Sequence, residues 1–123
     1  MNLVDSSAWL EYLADGPNAK FFSAAIEKTS ELIVPVIVVF EVFKRVLQQR
    51  DEIAALQAVS LLHRGKVIEL SSALALEAAR LSYTLKLPMA DSFILSTART
   101  YDAVIWTQDV DFEKLPKVKY RKK

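Results

Sequence analysis

Four acidic residues, Asp5, Glu41, Asp91 and Asp109, stand in otherwise apolar stretches of this 123-residue chain. Asp5 closes the opening run Met1-Asn2-Leu3-Val4, and Glu41 lies inside the apolar segment Val36 to Leu47. Asp91 opens a helix after Leu87-Pro88, and Asp109 follows Ala103-Val104-Ile105-Trp106-Thr107. A carboxylate in apolar surroundings costs stability unless its charge is compensated. Four that converge need cations, so the set reads as a divalent-metal site. Oxygen ligands without His or Cys favour Mg²⁺ or Mn²⁺ over zinc. Such a cluster suits phosphodiester hydrolysis, because a bound ion polarises the phosphoryl oxygen, acidifies a water and stabilises the leaving oxygen. Without metal the carboxylates repel, and at least one pKa should rise. The one histidine, His63, reads as a cap on a half-buried helix end rather than as a general base.

The elements that must position these acids alternate short β-like runs with longer helical patterns, which predicts a mainly parallel sheet of four to five strands between helices, a three-layer α/β/α fold. Strands are expected at Leu3-Val4, Leu32 to Val34, Val67 to Leu70 and Ala103 to Trp106, with a fifth at the edge over Val118 to Tyr120. A helix from Ser7 to Leu13 is broken by Gly16-Pro17, and a second runs from Asn18 to Lys28. A third runs from Val36 to Gln49, with Val36, Phe40, Phe43 and Leu47 as its buried stripe and Glu41 at the margin of that stripe. A fourth follows Asp51, carrying Ala55, Val59 and Leu62 on one face, with Gly65 as its C′ stop. Ser72 is read as the N-cap of a helix bearing Leu74, Ala78, Leu81 and Leu85. The last begins at Asp91 and turns Ile94, Leu95 and Ala98 inward. In an open parallel sheet, ligands bind at the C-terminal ends of the strands, where strand order reverses. Asp5 and Asp109 follow strand ends, and Asp91 and Glu41 sit on adjoining helices, so all four reach one sheet edge.

Composition sets the bounds. The 52% apolar content excludes disorder, and 123 residues fit one domain spanning the whole chain. The longest apolar run is about half a bilayer span and contains Pro35, so no membrane association is expected. There is no signal-peptide pattern, and the absence of cysteine excludes disulfides and thiolate metal sites; a cytoplasmic location is compatible. Two glycines cannot build a phosphate-cradling loop, which excludes the P-loop and the Rossmann fingerprint. Residues 1–113 carry a net −5 and residues 114–123 a net +6. That basic tail is either a solubilising end or a phosphate-attracting arm.

Four segments together resemble the PIN-domain ribonucleases, and more narrowly the VapC-type toxins of toxin–antitoxin pairs. They are Leu3-Val4-Asp5-Ser6-Ser7, Val39-Phe40-Glu41-Val42, Leu87-Pro88-Met89-Ala90-Asp91-Ser92-Phe93-Ile94 and Trp106-Thr107-Gln108-Asp109-Val110-Asp111-Phe112. They occur in the family's order over nearly the whole chain. The resemblance implies that Asp5, Glu41, Asp91 and Asp109 are the catalytic metal ligands. It implies that Ser7 and Thr107 support them by hydrogen bonding and that Asp111 is a second, less consistently catalytic acid. It further implies single-stranded or looped RNA as substrate, Mg²⁺ or Mn²⁺ as cofactor, a homodimer, and a small VapB-like antitoxin whose tail covers the site. Ser92 stands where the family often has alanine, and Gln108 where a basic or polar residue is frequent; neither departure removes a ligand.

Taken singly, each acid fits a plainer role. Asp5 and Asp91 fit helix caps, and Glu41 fits surface pairing with Lys44 and Arg45 at i+3 and i+4. Lys44 and Arg45 serve equally as contacts to RNA phosphates. Trp9, Tyr12 and Trp106 could stack bases, but Trp106 fits the core and Trp9 a core or a subunit interface. The competing function is a non-catalytic PIN-like module that binds RNA or protein, for which four clustered carboxylates have no use. A phosphoacceptor receiver domain ranks last, because Asp5 is followed by Ser6-Ser7 rather than by a second acid.

Overall fold

The computed structural model describes all residues from Met1 to Lys123. Five strands make one sheet: β1 (Asn2–Val4), β2 (Leu32–Pro35), β3 (Lys66–Ile68), β4 (Val104–Thr107) and β5 (Val118–Tyr120). Six helices connect them: α1 (Ser6–Leu13), α2 (Ala19–Ile26), α3 (Val36–Gln49), α4 (Glu52–Leu62), α5 (Ser72–Leu85) and α6 (Met89–Thr100). The sheet order is β3-β2-β1-β4-β5 and every pairing is parallel. Helices cover it in a three-layer α/β/α arrangement, as the alternation of patterns predicts.

The chain starts in the middle of the sheet, builds outward through β2 and β3, then returns to lay β4 on the other side of β1. Strand order therefore reverses between β1 and β4, whose register pairs Leu3 with Ile105 and Val4 with Trp106. The residues just beyond this pair, Asp5 and Thr107 to Asp109, lie at the crevice where such sheets bind ligands. The strands are short and almost wholly apolar because both faces are covered. Leu3, Val4, Ile33, Val34 and Ile105 are fully or almost fully buried, packed against Trp9, Phe22, Val38, Leu62, Ile94 and Phe112. Trp106 joins this core, with its indole N–H donating to Asn2 Oδ1 at 3.0 Å, and Trp9 is entirely buried rather than at an interface.

Several expectations are corrected. The stripe Val36, Phe40, Phe43, Leu47 does not face the core: Phe40 is 60% and Leu47 40% exposed, whereas Val38 and Val42 are fully buried. The two faces differ by two positions, about 200° around the helix. The opening turns of α3 are apolar nearly all round, and the sheet accepts the compact β-branched pair rather than the larger side chains. Ser71, not Ser72, caps α5, its hydroxyl accepting from Leu74 N–H at 3.1 Å. β3 accordingly ends at Ile68, short of Leu70. Leu85 at the other end of α5 is 38% exposed. Asp91 does not open its helix but is the third residue of α6, after Pro88 at the N-cap.

Glycine is not used as expected either. Neither glycine has a positive φ; that conformation falls to Asp15, Lys86, Asp102 and Lys117. Gly65 is therefore no left-handed stop. His63 itself is the C-cap of α4, and it is exposed. Gly65 is needed because a β-carbon there would lie 2.9 Å from the Leu32 carbonyl oxygen. Gly65→Ala should therefore lose roughly 1–3 kcal/mol of stability by pushing β3 from β2. Lys86→Gly, at φ 59° where α5 ends, should gain up to about 1 kcal/mol. Urea unfolding of the two variants checks both signs.

Candidate active site

Asp5 caps α1 from the end of β1. Its backbone N–H donates to the Trp106 carbonyl at 3.1 Å, which carries the β1–β4 ladder one residue past the strand. Its carboxylate is 2% exposed and accepts three hydrogen bonds: Ala8 N–H and the Ser7 hydroxyl on Oδ1, at 3.0 and 2.8 Å, and the Thr107 hydroxyl on Oδ2 at 2.5 Å. The same hydroxyls accept in turn from the backbone beyond β4. Gln108 N–H donates to Ser7 Oγ at 3.2 Å, and Asp109 N–H donates to Thr107 Oγ1 at 2.8 Å. Two hydroxyls thus tie the β4 loop to the buried carboxylate. These are Ser7 and Thr107, the residues expected to support the acids.

The loop then presents its own acids. Asp109 caps a 3₁₀ turn over Val110–Phe112, its Oδ1 accepting from Asp111 N–H at 2.9 Å. Phe112 anchors the turn in the core. Asp91 comes from the first turn of α6, whose N-cap Pro88 supplies no side-chain bond. α6 leads into β4, so its start lies at the sheet edge where β4 ends. Carboxylate oxygens of Asp91, Asp109 and Asp111 lie within 4.8 Å of one another.

This crowding has an electrostatic signature. Asp91 is pushed up to about 8, first by burial, then by the charge of Asp109 and by hydrogen bonding to Asp111 and Asp109 that suits its protonated form. Asp5 is pushed up to about 6 by burial. The bonds from Thr107, Ala8 and Ser7 oppose that rise, and the Asp109 charge adds to it. Glu41 stands outside the three-carboxylate group. The Ser6 hydroxyl donates to its Oε1 at 2.5 Å, tying α3 to the residue that follows Asp5. Glu41 makes no ion pair with Lys44 or Arg45; the ion pairs are Lys28–Glu31, Arg80–Glu77 and Lys117–Asp102. Lys44 lies over the Phe40 ring at 5.8 Å, while Arg45 lines a polar cleft beside Ser7.

The structure thus brings Asp91 and Asp109 together and adds Asp111 as a full member; Thr107 links Asp5 to the Asp109 backbone, and Glu41 is tied to Ser6, the residue after Asp5. Ser6 escaped the sequence reading, although its place between Asp5 and a helical serine was a signal. The donor set fits a hard divalent cation. An octahedral Mg²⁺ about 2.1 Å from each ligand oxygen separates those oxygens by about 3 to 4 Å, within the spread observed here. Burial comes first in raising Asp5 and Asp91, and a cation among the acids would oppose that rise.

A sequence model of the PIN domain matches residues 3–118. No curated protein sequence matches. Solved structures do. The "Sarcin-Ricin loop cleaving toxin" VapC20 of Mycobacterium tuberculosis superposes with a TM-score of 0.82 at 18% identity, covering 96% of this chain and 97% of that one. A toxin–antitoxin complex from Klebsiella pneumoniae gives 0.79 at 20% identity, over 97% and 96%. VapBC-1 from nontypeable Haemophilus influenzae gives 0.72 at 20%, over 98% and 96%.

The acid pKa values have a consequence for metal-free protein. A carboxyl whose folded pKa lies above its unfolded value binds its proton more tightly when folded, so stability is greatest at low pH and falls as pH rises to the folded pKa. For Asp5 the fall spans about pH 4 to 6, and Asp91 extends it to about 8. In EDTA the protein should melt higher at pH 5 than at pH 8, and millimolar Mn²⁺ should restore most of the difference at pH 8. Thr107→Val removes Asp5's shortest donor and the acceptor for Asp109 N–H. It should cost about 1–3 kcal/mol at neutral pH and less at pH 5. Denaturant titration at the two pH values reads both effects.

Proposed function

Because the chain belongs to the PIN-domain family, we propose that it is a divalent-metal-dependent endoribonuclease, hydrolysing RNA phosphodiester bonds as the toxin of a VapBC-type pair. The observation that carries this reading is the group of Asp91, Asp109 and Asp111 oxygens within 4.8 Å, at the point where strand order reverses. Asp5, Glu41, Asp91 and Asp109 are assigned as metal ligands, with Asp111 sharing the role given to Asp109. Mg²⁺ or Mn²⁺ bound there would supply the Lewis acid and the acidified water of phosphodiester hydrolysis. Ser7 and Thr107 hold Asp5 with both oxygens oriented, and Ser6 holds Glu41. Burial and the neighbouring acids push Asp91 up to about 8, so a cation held there would have to displace its proton, and metal affinity should rise with pH.

RNA rather than another phosphodiester is supported by the family and by the likeness to VapC20, which is described as cleaving the sarcin–ricin loop. Lys44 and Arg45, both exposed on α3, are assigned to backbone phosphates. An antitoxin of VapB type is supported by the likeness to toxin–antitoxin complexes. It is also supported by an apolar groove of about 250 Å³ between α1, α3 and α4, walled by Leu10, Leu13, Val46, Ala58 and Leu61. The exposed Phe40 and Leu47 make an apolar surface of the kind a subunit contact covers, which supports a homodimer. No helix is long and apolar enough to cross a membrane; the toxin reading itself places the protein in the cytoplasm.

Purified protein should cut single-stranded RNA in Mg²⁺ or Mn²⁺ and not in EDTA. Asp91→Asn and Asp109→Asn should each lower the rate by about 100-fold or more while the protein stays folded. Wild-type rates in both variants would remove the assigned site. Failure to bind Mn²⁺ at millimolar concentration would leave a non-catalytic binding module instead. Growth inhibition by the wild type, relieved by co-expressing the product of a short adjacent upstream frame, tests the toxin role.

A further inference from the structure

A polar cleft of about 520 Å³ lies beside the carboxylates, between α1, α3 and the C-terminal tail. Ser7, which bonds Asp5, forms part of its wall with Gln108, whose neighbour is Asp109. Two cations line it, Arg45 from α3 and Lys123 from the tail, and neither is engaged in an ion pair. Its one acidic side chain, Glu11, accepts Asn18 N–H at 2.7 Å, so cationic side chains outnumber acidic ones in the wall by two to one.

The tail that carries Lys123 is fastened. β5 pairs with β4, and Arg121 N–H continues the ladder to the Thr107 carbonyl at 3.0 Å. The Arg121 guanidinium lies 4.2 Å from the centre of the Phe21 ring, and Lys119 lies 4.6 Å over Trp106. Asn18 closes the arrangement, its side-chain amide donating to Gln108 Oε1 at 2.6 Å and to the Lys122 carbonyl at 3.0 Å. A solubilising end needs none of these interactions. They hold the tail so that Lys123 shares a cleft with Ser7, which bonds Asp5, and with Gln108, which precedes Asp109.

We propose that this cleft seats a backbone phosphate of single-stranded RNA, with Arg45 and Lys123 as its cations and Asn18 as the residue that positions the tail. The proposal rests on the ribonuclease reading and adds to it a substrate subsite beside the reacting bond. The Gln49 and Gln108 side chains in the cleft wall suit the sugar–phosphate rather than a hydrophobic partner.

Binding of a fluorescent single-stranded RNA, measured in EDTA over a range of salt, tests the seat without reference to cleavage. Removing one phosphate-binding cation should lower the salt slope by about 0.7 and weaken binding roughly five- to tenfold at low salt. Arg45→Gln and Lys123→Gln should each do so, and the double variant should show about twice the drop in slope. Asn18→Ala should weaken the wild type but add nothing in the Lys123→Gln background. Lys66→Gln, on β3 at the far edge of the sheet, should change neither affinity nor slope. Unchanged slope and affinity in the folded double variant overturn the proposal. So does a double variant that keeps RNA binding but loses binding to a polyglutamate peptide, which would make the cleft an acidic-peptide seat. Binding that depends on Arg45 and Lys123 without cleavage in Mg²⁺ supports the seat and sinks the ribonuclease reading instead.

Discussion

The Asp5 carboxylate is shut away from water, and burial, only partly offset by its hydrogen bonds, makes its ionised form cost on the order of 3 kcal/mol relative to an ordinary aspartate. What that burial secures is geometry. Asp5 caps α1, continues the β1–β4 ladder through its own N–H, and accepts the hydroxyls that hold Gln108 and Asp109 in place. The reversal of strand order opens a crevice between β1 and β4. Asp5 is the residue that spans it. Neither the path of the β4 loop nor the spacing of Asp109 from Asp91 follows from the sheet alone.

The short strands explain why so much depends on one side chain. β1 has three residues and β4 four, so the ladder supplies few backbone bonds at the crevice. The apolar side chains of Leu3, Val4, Ile105 and Trp106 hold the strands side by side, but burial is non-directional and leaves the loop orientation open. Hydrogen bonds from Ser7 and Thr107 set it. Phe112 then anchors the far end of the loop, so that Asp109 and Asp111 are fixed from both sides.

The order of elements and the meeting of Asp91 with Asp109 could be read from the chain because they rest on local signals: apolar runs of strand length, turn residues, and carboxylates at strand ends. What could not be read depends on choices made in three dimensions. In α3 both Val38/Val42 and Phe40/Phe43/Leu47 satisfy a helical period, and only the depth of the space above the sheet decides between them. Gly65 looks like a helix stop, yet its role is set by the Leu32 carbonyl more than thirty positions away in sequence. Ser6 and Ser7 are indistinguishable by type. Their separate partners, Glu41 and Asp5, follow from the direction in which α1 leaves the strand. Asp111 was placed second to Asp109 on family grounds, but a 3₁₀ turn brings two acids at i and i+2 to bear on Asp91 together.

The way these acids are held bears on what they can do. Every side-chain donor to Asp5 and Glu41 is a neutral hydroxyl, and no lysine or arginine pairs with any acid of the cluster. A cationic partner would stabilise a buried carboxylate far more, since an opposite charge nearby depresses its pKa where burial raises it. It would also neutralise the negative charge that a divalent ion requires. Hydroxyls orient the oxygens and leave the charge uncompensated, so the fold keeps a concentrated negative field that a hard cation can relieve. The basic residues stand apart from the acids, at Arg45 and along the tail beyond β5, where in the proposed function they would attract a polyanion without neutralising the carboxylates. Acids at the crevice and cations in the adjoining cleft keep the two signs apart, as the proposed binding of a metal and a phosphate chain requires.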